Sequence, residues 1–152
     1  MKEWEGEIVP CGMEKHIDLE TWDRRESYER FKDFVDPYFG VVVNLDMSPL
    51  WEYCKTWGIG INHALLYAVV KTANAYGPIK MRRRGEGVVE LAHINIGTSI
   101  LRKGSEGFSF AFYEYRDGMT LEEFDAMGRE ASAHIAGGGA INPRLLGDDV
   151  IR

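Results

Sequence analysis

Cysteine is scarce in this chain. Cys11 and Cys54 are its two cysteines in 152 residues, too few for a disulfide framework and not at metal-ligand spacing. They read as reduced thiols. Long hydrophobic runs are missing as well: no stretch approaches the ~20 apolar residues of a membrane helix. The first ten residues, MKEWEGEIVP, carry three glutamates and no apolar core, so no secretory signal is visible and a cytoplasmic location is expected. Positive charge is in deficit, with a formal net charge of −6. That argues against a general nucleic-acid or polyanion binder. Neither RRRGEG nor AGGGA has the strand–glycine–helix context of a dinucleotide site, and no phosphate-binding GxxxxGK run or nucleophile elbow occurs. Asp23, Asp46 and Asp149 are not paired at a spacing that suggests glycosidase chemistry. The four histidines, His16, His63, His93 and His134, have no metal partner at i+4 or in a Cys/His cluster, so no metal site is expected. From the residues alone, no complete catalytic device can be assembled.

What is present is the composition of a soluble globular domain, 45% hydrophobic and 28% charged. A chain of this length buries about 70% of its extended surface on folding, and with no internal repeat or linker residues 1–152 read as a single domain. Asp23 and Glu26 have capping-box spacing before a helix whose face is Tyr28, Phe31, Phe34 and Val35, stopped by Asp36-Pro37. FGVVVNLDMS fits a buried strand. Ser48-Pro49 opens a second helix with a stripe of Leu50, Tyr53, Cys54 and Trp57, closed by Gly58. A third helix from about Asn62 to Tyr76 is expected to bury Leu65, Ala68, Val69, Thr72 and Ala73. Strands follow, with a hairpin at Gly85-Glu86-Gly87. In EGFSFAFYEY, Phe108, Phe110 and Phe112 alternate with Ser109, Ala111 and Tyr113. After Asp117-Gly118, Thr120 and Glu123 have capping-box spacing for a last helix with Leu121, Phe124, Met127, Gly128 and Ala131 on its apolar face. AGGGAINPRLLG reads as a loop, Asp148-Asp149 as its end, and Val150-Ile151-Arg152 as the opening of another strand. This order predicts an α/β chain, a two-layer sandwich of a mixed or antiparallel sheet covered by helices. The sheet reads as incomplete.

Each candidate residue has a plain structural reading. His63 suits a terminal-turn or packing role, His93 a structural role between strands, and His134 a place beside a helix C-terminus. Lys80, Arg82 and Arg84 share a face and suit a charge-protected sheet edge. Phe31, Phe108, Phe110 and Phe112 form either core or a hydrophobic pocket.

Three segments in order, IDLETWDRRESYERFKDF, VVVNLDMSPLWEYCK and INHALLYAVVKTAN, followed by HINIGTSILRKGSEGFSFAFYEY, resemble the chloramphenicol acetyltransferase family. The resemblance runs from about Ile17 to Arg152 and covers about the first two-thirds of a family member. It implies a two-layer α/β sandwich of the CoA-dependent acyltransferase type, assembled as a homotrimer with active sites between subunits. The implied activity transfers acetyl from acetyl-CoA, a cosubstrate, to a hydroxyl of an apolar acceptor such as chloramphenicol. The family's general-base histidine lies in an HHxxxDG motif near its C-terminus, and that motif is absent from these residues. The implied partners are further copies of the chain, as a homotrimer if the chain is complete, or a chain supplying the missing C-terminal part, and a small apolar alcohol. Neither nucleic acid nor membrane is implied. Arg24 matches the arginine that pairs with that motif's aspartate. Phe31, where the family usually has tyrosine, matches an acceptor-pocket position, as do Phe108 and the neighbouring Phe110, while Gly97 and Ser99 match pocket-side positions with changed identities. No catalytic residue is assigned. The resemblance implies an acetyltransferase-like N-terminal portion, inactive alone; the alternatives are a non-catalytic binding or assembly module, or an inactive truncated relative.

Overall fold

The computed structural model describes residues 14–38 and 40–151. Cys11, the leading decapeptide and Arg152 lie outside them. In chain order the elements are β1 (Glu14–His16), α1 (Arg25–Phe31), α2 (Ser48–Trp57), α3 (Ile61–Ala75), β2 (Met81–Arg84), β3 (Gly87–Leu91), β4 (Asn95–Leu101), β5 (Phe108–Tyr113), α4 (Leu121–Ala136) and β6 (Val150–Ile151). Short 3₁₀ turns occupy Gly77–Lys80 and Pro143–Leu146. Among the described residues no helix is long and apolar enough to cross a membrane.

The strands form two small sheets among the described residues, in the orders β1-β3-β2 and β5-β4-β6. The β2–β3 hairpin turns at Gly85, whose φ of 59° is left-handed backbone that glycine adopts without steric cost. β4 and β5 are antiparallel, Gly97 facing Phe112, Ser99 facing Phe110 and Leu101 facing Phe108. The strand expected at Val150-Ile151 is β6, which joins β4 in parallel. α3 and α4 pack on one face of this second sheet around Val70, Ile96, Ala111, Tyr113, Tyr115, Met119, Phe124 and Ile135. α4 starts with the predicted capping box: Thr120 Oγ1 accepts from the Glu123 N–H, and the Glu123 carboxylate accepts from the Thr120 N–H at 2.8 Å. α2 begins with its predicted proline and ends at Gly58 with φ 67°.

Four expectations are corrected. The first helix is shorter than predicted and is preceded by Arg24, with no side-chain cap from Asp23. None of its residues is buried; Tyr28 donates to the Glu86 carbonyl, and Arg83 to the carbonyl of Lys32 at the helix end. The valine-rich run is not a buried strand: Val42 is 96% exposed, and its backbone joins neither described sheet. Hydrophobicity specifies burial but not a partner strand, and this run has none among the described residues. Of the face predicted for α3 only Ala73 is buried: His63, Ala64 and Val70 lie inside with it, while Leu65, Ala68, Val69 and Thr72 are exposed. The inward face carries polar residues that bond to their surroundings, including Asn74, which binds both backbone groups of Ile94 at 2.8 Å. Finally, the loop after α4 contains the 3₁₀ turn Pro143–Leu146, begun by Asn142, whose side chain accepts from the Arg144 N–H.

The arginine run lies on edge strand β2, as expected, but it is more than a charged fringe. Arg82 Nε donates to the Asp148 carbonyl at 2.6 Å, and Arg84 bridges Glu14 and Asp148. Asp149, 1% exposed, binds the Asn95 amide through its side chain at 2.6 Å and the Asn95 N–H through its carbonyl at 2.7 Å. This network seats the 3₁₀ turn across β4, with Leu145 directly over Gly97. Any Cβ at position 97 overlaps the Leu145 side chain, which is itself enclosed. Gly97→Ala is expected to cost about 1–3 kcal/mol in urea unfolding and less when Leu145 is also alanine. An equal cost in both backgrounds would show that the overlap is not its source.

Candidate functional site

The alternation of β5 separates its two faces. Ser109, Ala111 and Tyr113 face the helices and are buried, while Phe108 and Phe110 point to the opposite side, 62% and 38% exposed. Phe108 and Phe110 meet edge to face, ring centroids 5.6 Å apart. Cross-strand pairing puts Ser99 opposite Phe110 on that face. Gly97 shares the face but lies beneath Leu145 rather than opening on a pocket. Phe112 carries the Arg144 guanidinium 5.2 Å from its ring centroid. Thus the structure gathers Ser99, Phe108 and Phe110 together, with Gly97 close by but covered.

Phe31 and Arg24 do not join them. Phe31 sits on α1 against Phe34, centroids 5.1 Å apart, and α1 is tied to the β2–β3 turn of the other sheet. Arg24 reaches the Tyr76 hydroxyl at 3.5 Å.

Beyond the rim of β5, α4 and the loop that follows it flank an open cavity of about 600 Å³, a volume within the range of ligand pockets. Its walls are Phe112, Met127, Glu130, Ala131, His134, Ile135, Ala140, Ile141, Asn142 and Pro143. Three consecutive glycines fold the loop back. Gly137 caps α4, Gly138 has φ 88°, and Gly139 passes so close to the His134 ring that a Cβ there would overlap it. The sequence placed His134 at the helix end but held no sign of this cavity.

Sequence reasoning also missed a buried polar chain between α3, α4 and β5. Asp125 is 7% exposed and accepts from the Gly60 N–H at 2.9 Å, from His63 Nδ1 at 2.8 Å and from Arg129 Nε at 2.7 Å. Burial works against its charge, but these donors outweigh burial and hold its carboxyl below the usual carboxylate range. A carboxylate only accepts, so His63 Nδ1 carries the hydrogen. On the other side of the ring, His63 Nε2 lies 3.4 Å from Ser132 Oγ. Ser132 Oγ in turn lies 2.9 Å from the Tyr113 hydroxyl, whose pKa burial raises. The order Asp–His–Ser has the topology of a hydrolase triad, but its parts are packed inside the fold. Ser132 stands within a helix whose backbone N–H groups are engaged, so no oxyanion donors face it. The chain is a clasp between elements. The sequence signal for it was Gly128, a mid-helix glycine that costs about 1 kcal/mol relative to alanine and leaves room for the His63 ring, 3.0 Å from where a Cβ would stand.

Comparison with known proteins bears on the whole arrangement. A sequence model of the family described as chloramphenicol acetyltransferase matches residues 13–137. The chain belongs to the chloramphenicol acetyltransferase family. It is 26% identical over 99 residues to a chloramphenicol acetyltransferase of Proteus mirabilis, covering 65% of this chain and 46% of that protein. It is 29% identical over 100 residues to one of Vibrio anguillarum, covering 65% of this chain and 44% of that protein. The chain thus spans about half the length of these relatives in the matched regions. A solved chloramphenicol acetyltransferase superposes with a TM-score of 0.73 at 21% identity, over 90% of this chain and 62% of that one. The acyltransferase-type α/β fold expected from the sequence is the fold found.

Asp125→Asn keeps the shape of the clasp and removes its charge. A loss of about 1–3 kcal/mol is expected at neutral pH. The sign follows from the depressed carboxyl: its stabilisation is present above the ordinary carboxylate range and is lost as pH falls through the folded-state value. The gap between wild type and variant therefore narrows on acidification. A gap independent of pH in denaturation curves would remove the charge from this account. Nitrogen NMR on wild type should find His63 hydrogen-bearing at Nδ1.

Proposed function

We propose that this chain forms the acceptor-binding portion of an O-acetyltransferase that moves acetyl from acetyl-CoA to a hydroxyl of a small apolar alcohol of the chloramphenicol kind. One observation carries the reading beyond family membership: Ser99, Phe108 and Phe110 share one open aromatic face of the β4–β5 pair, at positions where the resemblance expects an acceptor wall. Acyl transfer needs a base within about 3 Å of the attacking oxygen and donors at the developing oxyanion. The family's HHxxxDG base motif does not occur in these 152 residues. His63 is engaged on both ring nitrogens by Asp125 and Ser132, so it is not that base. In this reading the base and much of the acetyl-CoA channel come from a segment bearing that motif, in a longer product that trimerises or on a second chain. Arg24, 3.5 Å from Tyr76 here, would exchange that contact for the motif's aspartate.

A second reading, a non-catalytic binding or assembly module, has its own support in the exposed Val41, Val42 and Val43, since contiguous apolar surface marks interaction sites.

Thiol release from acetyl-CoA in the presence of chloramphenicol is the decisive assay. The 152-residue chain is expected to show no release above background, and a version carrying an added HHxxxDG-bearing C-terminal third is expected to turn over. A general base alone is worth about 10²–10⁴ in rate. Silence from that longer version would sink the acetyltransferase reading. A clean monomer that binds no ligand would remove the module reading.

A further inference from the structure

The segment between α1 and α2 presents apolar side chains and bare backbone together. Val41, Val42, Val43 and Leu45 are each more than two-thirds exposed, and Asn44 and Asp46 are exposed with them. The run lies in neither a helix nor a strand, and no backbone group of residues 40–46 hydrogen-bonds to another described residue. Valine-rich sequence favours the extended, paired state, and unpaired strand edges act as templates for another chain. The features that usually protect such an edge are absent from the run itself: residues 40–45 contain neither a charge nor a proline. Pro37 and Pro49 lie outside it. The nearest charge, Asp46, is turned to the next helix, where it accepts from the Ser48 N–H at 2.9 Å.

We propose that this run is a self-recognition strand: it pairs antiparallel with the same run of a second copy of the chain, centred on Val43. The order of its residues selects that partner and that direction. Antiparallel pairing about Val43 sets Val41 opposite Leu45 twice and Val43 opposite its own copy, so one face of the pair is apolar throughout. On the other face Val42 meets Asn44, and Asp46 falls opposite Gly40, which keeps the two aspartates at opposite ends. A parallel in-register pair would bring Asp46 beside Asp46, and like charges so placed oppose pairing. The arrangement is two-fold, each copy offering and receiving the same surface. A two-stranded ribbon is marginal on its own, so the dimer is weak and forms as concentration rises. The proposal rests on the assembly-module reading above, names its partner, and leaves the acceptor face of β4–β5 free.

The test is sedimentation of the 152-residue chain from about 10 µM to about 1 mM, the span in which a weak pair forms. The mass is expected to rise from monomer to dimer. Val43→Lys, at an exposed position, sets two ammonium groups opposite each other and is expected to raise the midpoint at least about tenfold. Register is read by oxidation in a Cys11→Ser background. Val43→Cys is expected to cross-link two copies readily, because position 43 faces its own copy at about 4.5–5.5 Å between Cα atoms. The two thiols of Val41→Cys stand about 14 Å apart along the pair, beyond disulfide reach. A monomer at every concentration would leave the run to another partner and overturn the proposal. Equal cross-linking of V41C and V43C, or a dimer unmoved by V43K, would overturn it too. A monomer that still binds a ligand would overturn it while the module reading stood.

Discussion

A carboxylate withdrawn from water must be met by donors or lose its charge, and Asp125 is met from three directions. Gly60 closes off the α2–α3 connection, His63 comes from α3, and Arg129 comes from the next turn of α4. Through His63 the arrangement continues to Ser132 and Tyr113, so one charge ties two helices to a strand. The geometry is demanding. Gly60 and Gly128 both lie against His63, where a Cβ would come within about 3 Å of its ring. A buried ion pair is weak evidence of net stability, because desolvation opposes the attraction. Its consequence here is position: the angle at which α4 crosses β5 sets where the cavity beyond Phe112 opens.

A second polar system fixes the opposite side of β4. Asn95 holds the Tyr115 N–H on one side and Asp149 on the other. Arg144, bound to Asp149 and Glu114, brings the 3₁₀ turn down with Leu145 over Gly97. The two faces of β4–β5 therefore have different fates. One is sealed by helices, and the other is closed near Gly97 and left aromatic and open toward Phe108.

The parts of the fold legible in the sequence are those specified locally. Ser48-Pro49 with Gly58 bounds α2, Thr120 with Glu123 caps α4, and Gly85 turns a hairpin, each within a few residues. What periodicity misread was α3, because it assigns the apolar residues inward. The inward face instead carries His63 and Asn74, whose partners lie 62 and 20 residues away. No spacing rule reaches that far. The same limit hid the cavity, whose walls come from β5, α4 and the loop beyond it. Of the site residues suggested by resemblance, those on the two adjacent strands were gathered by pairing. Phe31, on a helix tied to the other sheet, was not.

The division of β5 into a large aromatic face outside and a small, partly polar face inside has a cost in folding. Side chains alternate strictly along a strand, so a slip of one residue exchanges the faces. The slipped pairing would turn Phe108, Phe110 and Phe112 toward the helices and Ser109 toward solvent, which collapse by hydrophobicity alone favours. The native alignment is instead selected by hydrogen bonds with one correct partner each: the Asn95 side chain to the Tyr115 N–H, and Tyr113 to Ser132. In this strand the apolar residues drive condensation, and a few buried polar ones decide which of two condensed states is the native protein.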